Sequence, residues 1–179
     1  MSEGMMKLRS ASLVVVAIAL LITSCGNDQK ETVSFLDGQF VALKPATWSL
    51  MSNLNEEADL QMGNASKKAY GVVLSEAKVD FAGEMTLSKF SDVTRAPLKN
   101  SLQNYSEEGP ENLVLNGRPA IRYTLGGSLG SIRIKYWHTS IDSPTHYHQV
   151  LLWSLPSKFD DNKADFESVL NSIRKTGDT

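Results

Sequence analysis

The three histidines of the chain are the first candidates for a metal-binding or ligand-binding site, because they lie close together in two predicted strands. His138 belongs to a strand predicted over Ser131–Ile141, and His146 and His148 begin the next strand. If these strands pair so that His138 lies opposite His148, all three imidazoles point to one face. Opposed Cβ atoms are then about 4.5–5.5 Å apart, a spacing that allows imidazoles to share a zinc or copper ion. This register predicts a metal or small-ligand site on the hairpin.

The alternative is that the histidines are ordinary polar residues at the end of a hairpin. A slip of one residue in register turns every side chain of a strand to the other face, and no clear fourth ligand is present for a tetrahedral site. We therefore expect no metal and no other cofactor, and keep His138, His146 and His148 as the ligands of the alternative hypothesis.

Four aromatic residues lie in the same hairpin: Tyr136, Trp137, Tyr147 and Trp153. Core packing explains them, because rings of this size supply much of the buried area of a small domain. The alternative is a recognition surface for a protein partner, since aromatic and basic residues mix at interfaces. On the register above, one face carries two of the rings together with three other side chains: Trp137, Trp153, Leu151, Arg133 and Lys135.

The sequence contains no recognisable catalytic set. Nucleophilic catalysis needs a serine or cysteine beside a base and an orienting group, yet there is no Gly-x-Ser-x-Gly motif and only one cysteine, Cys25. The glycine-rich segment at residues 126–130 does not match a phosphate-binding loop, because no lysine follows in place, and we predict a flexible turn there. Carboxylates such as Glu76 and Asp80 form no convincing pair. We expect a protein that is not an enzyme.

The first 25 residues predict export. Lys7 and Arg9 precede an unbroken apolar run at residues 13–22, and small residues follow it. A basic start, an apolar middle and small residues at the cut are typical of a secretory signal peptide. The run is too short for a membrane-spanning helix, which needs about 20 apolar residues. We predict a signal peptide over residues 1–24.

The tetrapeptide Ile-Thr-Ser-Cys at residues 22–25 resembles a bacterial lipobox, in which the cysteine thiol is acylated and the chain is cut before it. The alternative is an ordinary signal peptide with a chance cysteine. Two or more acyl chains, such as palmitate, hold a protein stably on a bilayer. We therefore predict a lipoprotein held by Cys25, facing the periplasm, with residues 25–32 as its tether. Gly26 stands where inner-membrane lipoproteins usually carry aspartate, which favours the outer membrane.

Composition points to one ordinary globular domain, which we place at residues 33–175. Apolar residues make up 41% and charged residues 21% of the chain, unlike the composition of disordered chains. The net charge is −2 and the isoelectric point is near 5.9. These values give no support to a nucleic-acid-binding surface, and we expect no nucleic acid as a partner.

Turn signals and hydrophobic spacing place the elements. The Asp-Gly pair at residues 37–38 and the Asn-Gly pair at residues 116–117 predict tight hairpins, and Tyr70–Leu74 predicts a buried strand. An amphipathic helix is expected from an N-cap at Thr86 to Tyr105.

The positions of proline and aspartate predict the shape of the first helix and the start of the second. Pro97 should kink the first helix or divide it in two. A second, C-terminal helix should be capped by Asp160 or Asp161. The sum is an α+β fold in which an antiparallel β-sheet of six or seven strands packs with two main helices.

The order of these elements resembles the PsbP-like family, which includes bacterial lipoproteins of the DcrB and LpqN types. The resemblance covers about residues 33–173. It is carried by the lipobox, Leu36–Gly38, a strand ending at Pro45, Trp48, the strand Tyr70–Leu74, Thr86–Leu87, the segment Asn116–Ala120 and a last helix ending near Ser172–Ile173.

The resemblance implies an α/β/α sandwich and a non-enzymatic role as an assembly factor, extrinsic subunit or envelope lipoprotein. Since a fold does not fix a function, the expectation is kept general. We expect a lipid-anchored protein of the bacterial cell envelope that works by binding an envelope protein partner. The alternative is a metal-binding or small-ligand-binding lipoprotein that uses the histidine hairpin.

Overall fold

The computed structural model describes residues 30–178. The expected signal peptide at residues 1–24 and the expected lipid-attachment residue Cys25 lie outside this range. Within it, the secondary structure consists of the following elements, with a short 3-10 helix at Lys78–Asp80: β1 (Glu31–Phe35), β2 (Phe40–Lys44), β3 (Ser49–Leu50), β4 (Leu60–Asn64), β5 (Ala69–Ala77), α1 (Leu87–Ser101), β6 (Gln103–Leu115), β7 (Arg118–Leu129), β8 (Ile132–Asp142), β9 (His146–Ser154), α2 (Pro156–Leu170) and β10 (Arg174–Lys175).

The strands form two antiparallel sheets, and the helices lie on opposite faces of the larger one. The seven-stranded sheet has the order β3-β4-β5-β9-β8-β7-β6, and the three-stranded sheet has the order β1-β2-β10. Phe90 of α1 stacks on Tyr147 of β9 with ring centroids 5.0 Å apart, which defines the α1 face. Trp137 of β8 meets Phe159 and Phe166 of α2, which defines the α2 face. The predicted α+β sandwich of six or seven strands with two main helices is confirmed.

The larger part of the core lies on the α2 face, between the seven-stranded sheet on one side and α2 and the three-stranded sheet on the other. Its largest fully buried side chains include Phe40, Phe159 and Phe166. A smaller cluster on the α1 face contains Leu102 and Leu125 with Tyr136. Since both faces are covered, the middle of the sheet is buried on both sides.

Local turn and capping chemistry produces the predicted hairpins and the start of α1. Asp37 and Gly38 adopt φ values of 52° and 79° between β1 and β2. Asn116 and Gly117 adopt φ values of 49° and 73° between β6 and β7. These are the positive φ angles that tight hairpin turns require. Thr86 is the N-cap of α1, and its hydroxyl accepts a hydrogen bond from the backbone N–H of Lys89 at 3.2 Å.

Both helix boundaries differ from the predictions at one end. Helix α1 continues unbroken through Pro97, which is exposed, and ends at Ser101. Its predicted extension to Tyr105 is wrong, because that residue lies in β6. Helix α2 begins at Pro156, and the predicted caps Asp160 and Asp161 lie inside it. Proline is favoured at the first helical position because its missing N–H would have no intrahelical partner there.

The glycine-rich segment at residues 126–130 is not a flexible turn. Its first four residues belong to β7, and only Gly130 lies in the turn to β8. A Cβ atom on Gly127 would lie 2.8 Å from the Cβ of Leu102 and 3.1 Å from the carbonyl oxygen of Gln103. The strand therefore needs glycine where the connection from α1 to β6 passes against it.

The expected tether at residues 25–32 overlaps the first strand. Glu31 and Thr32 pair with Lys44 and Leu43 in β1 and β2. The first strand thus begins two residues earlier than the boundary expected at Val33, because the backbone of β2 provides hydrogen-bond partners for both residues.

Candidate functional site

The β8–β9 hairpin has a different register from the one that would gather the histidines. His138 lies opposite Leu151, and His148 lies opposite Ile141. The turn is centred on Pro144 and Thr145 and is closed by a 2.9 Å hydrogen bond from the N–H of Ser143 to the carbonyl of His146. The register is shifted by three positions from the expected one. Since an odd shift reverses the faces, the predicted arrangement of three imidazoles on one face is wrong.

His138 is a buried residue of the α1 face. It has no exposed surface, and its Nε2 atom lies 3.1 Å from the hydroxyl of Thr94 in α1. That hydroxyl donates its own hydrogen to the carbonyl of Phe90 at 2.8 Å, so Nε2 carries the proton and donates it to Thr94. Burial, and then the nearby charge of Arg95, lower the pKa of His138 to about 4. The ring is therefore neutral and joins α1 to the sheet.

His146 and His148 lie on the α2 face, and only these two histidines come together. Their rings stack with centroids 6.1 Å apart, and His148 meets Phe40 edge-on at 4.5 Å. Burial, and then the charges of His146 and Arg118, lower the pKa of His148 to about 3. Over residues 30–178, no three histidine, cysteine, aspartate or glutamate side chains are arranged to hold a metal ion.

Ser75 and His148 come nearest to a catalytic pair in the described part of the chain. The hydroxyl of Ser75 lies 2.9 Å from Nδ1 of His148, a distance at which a base can activate a nucleophile. A general base works best with a pKa near the working pH, and that of His148 is far lower. Its Nε2 atom is buried with no hydrogen-bond partner among residues 30–178, so no group there orients the ring. The pair packs the core.

The two tryptophans of the hairpin also point to opposite faces. Trp137 is 5% exposed and lies under the guanidinium of Arg122, which is 4.1 Å from the ring centroid. Trp153 is half-buried on the α1 face, 5.7 Å from the ring of Tyr70 and 5.8 Å from that of Tyr136. The predicted surface that joins Trp137 to Trp153 is wrong, and core packing explains Trp137.

The structure contains a groove that the sequence analysis missed. It lies on the α2 face, where β6, β7 and β8 extend past the first residue of α2, and its volume is about 500 Å³. We call it the sheet-end groove. Small residues of β7 form its floor, and longer polar side chains of β6 and β8 form its walls: Thr124, Gly126 and Ser128 in the floor, and Ser106, Glu108, Arg133 and Lys135 in the walls.

The walls of the sheet-end groove carry opposite charges. Arg133 and Lys135 lie on the β8 side and Glu108 on the β6 side, and none of the three forms an ion pair with another residue between 30 and 178. The hydroxyl groups of the floor can donate and accept hydrogen bonds. The groove therefore suits a small polar group that accepts hydrogen bonds from cationic side chains. In the sequence, the alternation Thr-x-Gly-x-Ser at residues 124–128 is the pattern that could have indicated this groove.

The expected lipid-attachment residue is not part of the described range. Cys25 precedes it, and the first described residue is Lys30. None of the helices within residues 30–178 combines the length and apolar character needed to cross a bilayer.

Comparisons with known proteins give matches to solved structures alone. No protein-family model and no curated protein sequence matches the chain. LpqN of Mycobacterium tuberculosis, a protein involved in cell envelope biogenesis, matches with a TM-score of 0.64 at 14% identity over 83% of this chain and 91% of LpqN. Cyanobacterial PsbP of Synechocystis sp. PCC 6803 matches with a TM-score of 0.61 at 13% identity over 85% of this chain and 95% of that chain.

A third structure, from Bacteroides thetaiotaomicron, matches with a TM-score of 0.58 at 9% identity and covers 84% of this chain and 50% of that one. At such identities the likeness concerns the arrangement of helices and strands and not their side chains. The layers, the sheet topology and these matches agree with the resemblance seen in the sequence. The chain therefore has the PsbP-like fold of the LpqN type.

Proposed function

We propose that the protein is a lipid-anchored component of the bacterial cell envelope that works by binding and not by catalysis. The observation that carries the proposal is the lipobox-like tetrapeptide at residues 22–25 placed directly before a domain with the fold of LpqN. LpqN is itself involved in cell envelope biogenesis. A signal peptide over residues 1–24, cut before an acylated Cys25, would deliver the domain to the same compartment.

The spacing between the attachment residue and the fold supports a position close to the bilayer. Five residues, Gly26 to Lys30, separate Cys25 from the first residue of β1. A fully extended segment of this length spans about 20 Å at most. An acylated Cys25 would therefore hold the domain within one domain diameter of the membrane surface, where it could meet envelope proteins.

A binding role fits the chemistry of the described residues. The histidines, which are the usual general bases, are used in packing between the sheet and its covering layers. The sheet-end groove offers hydroxyl, guanidinium, ammonium and carboxylate groups that can form hydrogen bonds. We propose that an envelope protein is the main partner, and that the protein faces the periplasm from the outer membrane.

The anchor is tested by mass spectrometry and metabolic labelling of the native protein. We expect a chain that begins at Cys25, carries two or three acyl chains, and incorporates a clickable palmitate analogue. Cys25→Ala should lose the label and leave the membrane fraction. Ser24→Ala is the matched control because it alters the same tetrapeptide, keeps a small residue before the cut and keeps the thiol, and it should retain the label. A free thiol at Cys25 in the native protein would refute the lipoprotein assignment.

The binding role and the membrane are tested in cells by crosslinking and fractionation. Affinity capture from crosslinked membranes should recover a reproducible protein partner, and density-gradient separation should place the protein with outer-membrane markers. Recovery with inner-membrane markers would contradict the proposed location. A hydrolase or transferase activity that is lost in His148→Asn would contradict the non-enzymatic role.

A small-ligand role is the second candidate, and the sheet-end groove is the observation that favours it. The histidine hairpin does not support this role, since His138 faces away from the other two histidines. Native mass spectrometry of protein purified from its own membranes should then reveal a bound small molecule. The variant Gly126→Val fills the floor of the groove, and we expect it to release that molecule without removing the protein from the membrane.

A further inference from the structure

The chain enters the domain at one defined end of the seven-stranded sheet. The register places Ala69, at the start of β5, in line with Ser154 of β9 and Lys135 of β8. The β4–β5 turn and the β7–β8 turn at residues 130–131 therefore lie at the same end, which we call the tip end. The β7–β8 hairpin reaches furthest, because its pairing continues to Leu129 and Ile132.

The first residue of β1 also lies toward the tip end. Lys44 pairs with Glu31 at 3.2 Å and donates a hydrogen bond to the carbonyl of Trp48. The indole N–H of Trp48 and the ammonium of Lys67, in the β4–β5 turn, both donate to Asp165. These contacts connect the start of β1 to the β4–β5 turn. Phe35 at the other end of β1 lies beside His148, far from the tip.

Two large aliphatic side chains are exposed at the tip end. Leu129 is 44% exposed and Ile132 is 55% exposed. They lie directly opposite each other across β7 and β8, next to the turn, and share the α1 face. Opposed apolar side chains at the end of a hairpin form a small projecting patch that water solvates poorly.

Basic side chains lie at the same end of the sheet as this patch, with Arg133 and Lys135 on the opposite face. Arg133 follows Ile132 and is exposed, Lys135 is half-buried, and Lys68 is exposed in the β4–β5 turn. None of the three forms an ion pair with another residue of the described chain, and the ammonium of Lys135 lies 4.9 Å from the ring centroid of Phe159. The carboxylates at the start of α2 are already paired, Asp160 with Lys163 and Asp161 with Lys158.

The opposite end of the domain carries exposed carboxylates. Exposed carboxylates occupy the β1–β2 turn, the last part of β5 and the segment before α1: Asp37, Glu76, Asp80 and Glu84. Three unpaired basic side chains thus lie at the tip end with one unpaired carboxylate, Glu108 of the sheet-end groove, whereas four exposed carboxylates lie at the opposite end. A negatively charged surface attracts the first end and repels the second.

We propose that the tip end docks on a bilayer that contains anionic phospholipids, with Leu129 and Ile132 inserted at the interface and Arg133 and Lys135 against the lipid phosphates. Interfacial segments insert apolar side chains about 5–10 Å deep and gain from basic residues nearby. The choice of a lipid bilayer as the docking surface rests on the proposed function, because a lipid on Cys25 and a tether of five residues would keep the membrane close to the start of β1. Docking would fix the orientation of the domain on its anchor.

The test uses residues 26–179, which lack the acylated residue. All core residues of the described structure lie between Val33 and Ile173, so this chain retains them. We expect it to sediment with vesicles of phosphatidylcholine and phosphatidylglycerol at 70:30 but weakly with phosphatidylcholine alone. Leu129→Ser with Ile132→Ser should lower the partition coefficient about tenfold. Arg133→Gln with Lys135→Gln should lower it about tenfold on the anionic vesicles.

The matched control is Val79→Ser with Val114→Ser, which removes two exposed apolar side chains away from the tip end, 89% and 73% exposed. It should bind vesicles as the unaltered chain does. A fluorescent NBD label on Ser131→Cys should shift to the blue on anionic vesicles, whereas the same label on Asp37→Cys should not. The chain from residue 26 has no other cysteine, so labelling is specific.

Equal binding by the Leu129/Ile132 variant and the unaltered chain would overturn the proposal, as would equal binding to both vesicle types. A tip that crosslinks to a protein in cells but shows no blue shift on vesicles would also overturn it. None of these results depends on acylation. A failure of docking and a failure of the lipid anchor are therefore distinguishable.

Discussion

The ring of His148 lies edge-on to the ring of Phe40, with centroids 4.5 Å apart and an interplanar angle of 76°. This contact joins the three-stranded sheet to the α2 face of the seven-stranded sheet. A neutral imidazole can pack in this way, but an imidazolium would be an unpaired charge in an apolar environment. His138 is equally buried on the other face.

The two buried histidines should make stability depend on pH. Their folded pKa values, about 4 for His138 and about 3 for His148, lie below the unfolded value near 6.5. The unfolded chain binds more protons between these limits. Stability is therefore complete above pH 6.5 and falls as the pH drops toward 4. At pH 5 each histidine should cost about 2 kcal/mol, measurable by urea unfolding at pH 7.5 and pH 5.

His148→Asn separates the contributions of the two residues. Asparagine does not titrate and can still bond to Ser75, so this variant should lose about half of the histidine-dependent difference between pH 7.5 and pH 5. Lys175→Gln, an exposed change, should keep the full difference. An unchanged pH dependence in His148→Asn would mean that His148 does not contribute to acid unfolding.

Thr94 should matter because its hydroxyl is the partner of His138. Thr94→Val keeps the shape of the side chain but leaves the Nε2 hydrogen of His138 buried without an acceptor. An unsatisfied buried donor costs about 1–3 kcal/mol, and we expect this loss in the free energy of unfolding at pH 7.5. Thr32→Val, at an exposed position of β1, is the control and should change it by less than about 0.5 kcal/mol. Equal effects of both changes would argue against the hydrogen bond.

Local chemistry made several elements predictable from the sequence. Asn116 and Gly117 accept the positive φ angles of a tight turn, and a hydroxyl at Thr86 satisfies the N–H of Lys89. These signals depend on neighbours within a few residues. The wrong end of α1 depended instead on long-range packing, since the connection at Leu102 is held against β7 by contacts with Gly127. The start of α2 followed a local signal, proline at the first helical position, which the assignment of Asp160 or Asp161 as the cap overlooked.

The candidate site was less predictable, because β8 is covered on both faces. Residues 136–141 are buried without interruption, so hydrophobic alternation gives no register for this strand. A hairpin turn centred on Ser143 and one centred between Pro144 and Thr145 give different registers. The hydrophobic pattern of the two strands is compatible with both. The sheet-end groove was not predicted for a related reason, since its floor and walls come from three strands whose relative alignment cannot be derived from the sequence.

The register also predicts how the protein responds to metal ions. His138 lies on the α1 face, whereas His146 and His148 lie on the α2 face. A single ion cannot reach all three. Calorimetric titration of residues 26–179 with zinc or copper should therefore show no binding tighter than millimolar, and the midpoint of thermal unfolding should stay constant. The control is His146→Asn, which should behave identically. Micromolar zinc binding that is lost in His138→Asn would refute the register.

The two glycines of β7 should differ in their response to an added methyl group. A Cβ on Gly127 meets the Cβ of Leu102 and the carbonyl of Gln103, neither of which can rotate away. A Cβ on Gly126 meets only the hydroxyl of Ser106, at 2.6 Å, and that exposed side chain can take another rotamer. Gly127→Ala should therefore cost about 1–3 kcal/mol in the free energy of unfolding, and Gly126→Ala clearly less. Urea unfolding of both variants decides the point, and equal losses would contradict the close approach of α1 to β7.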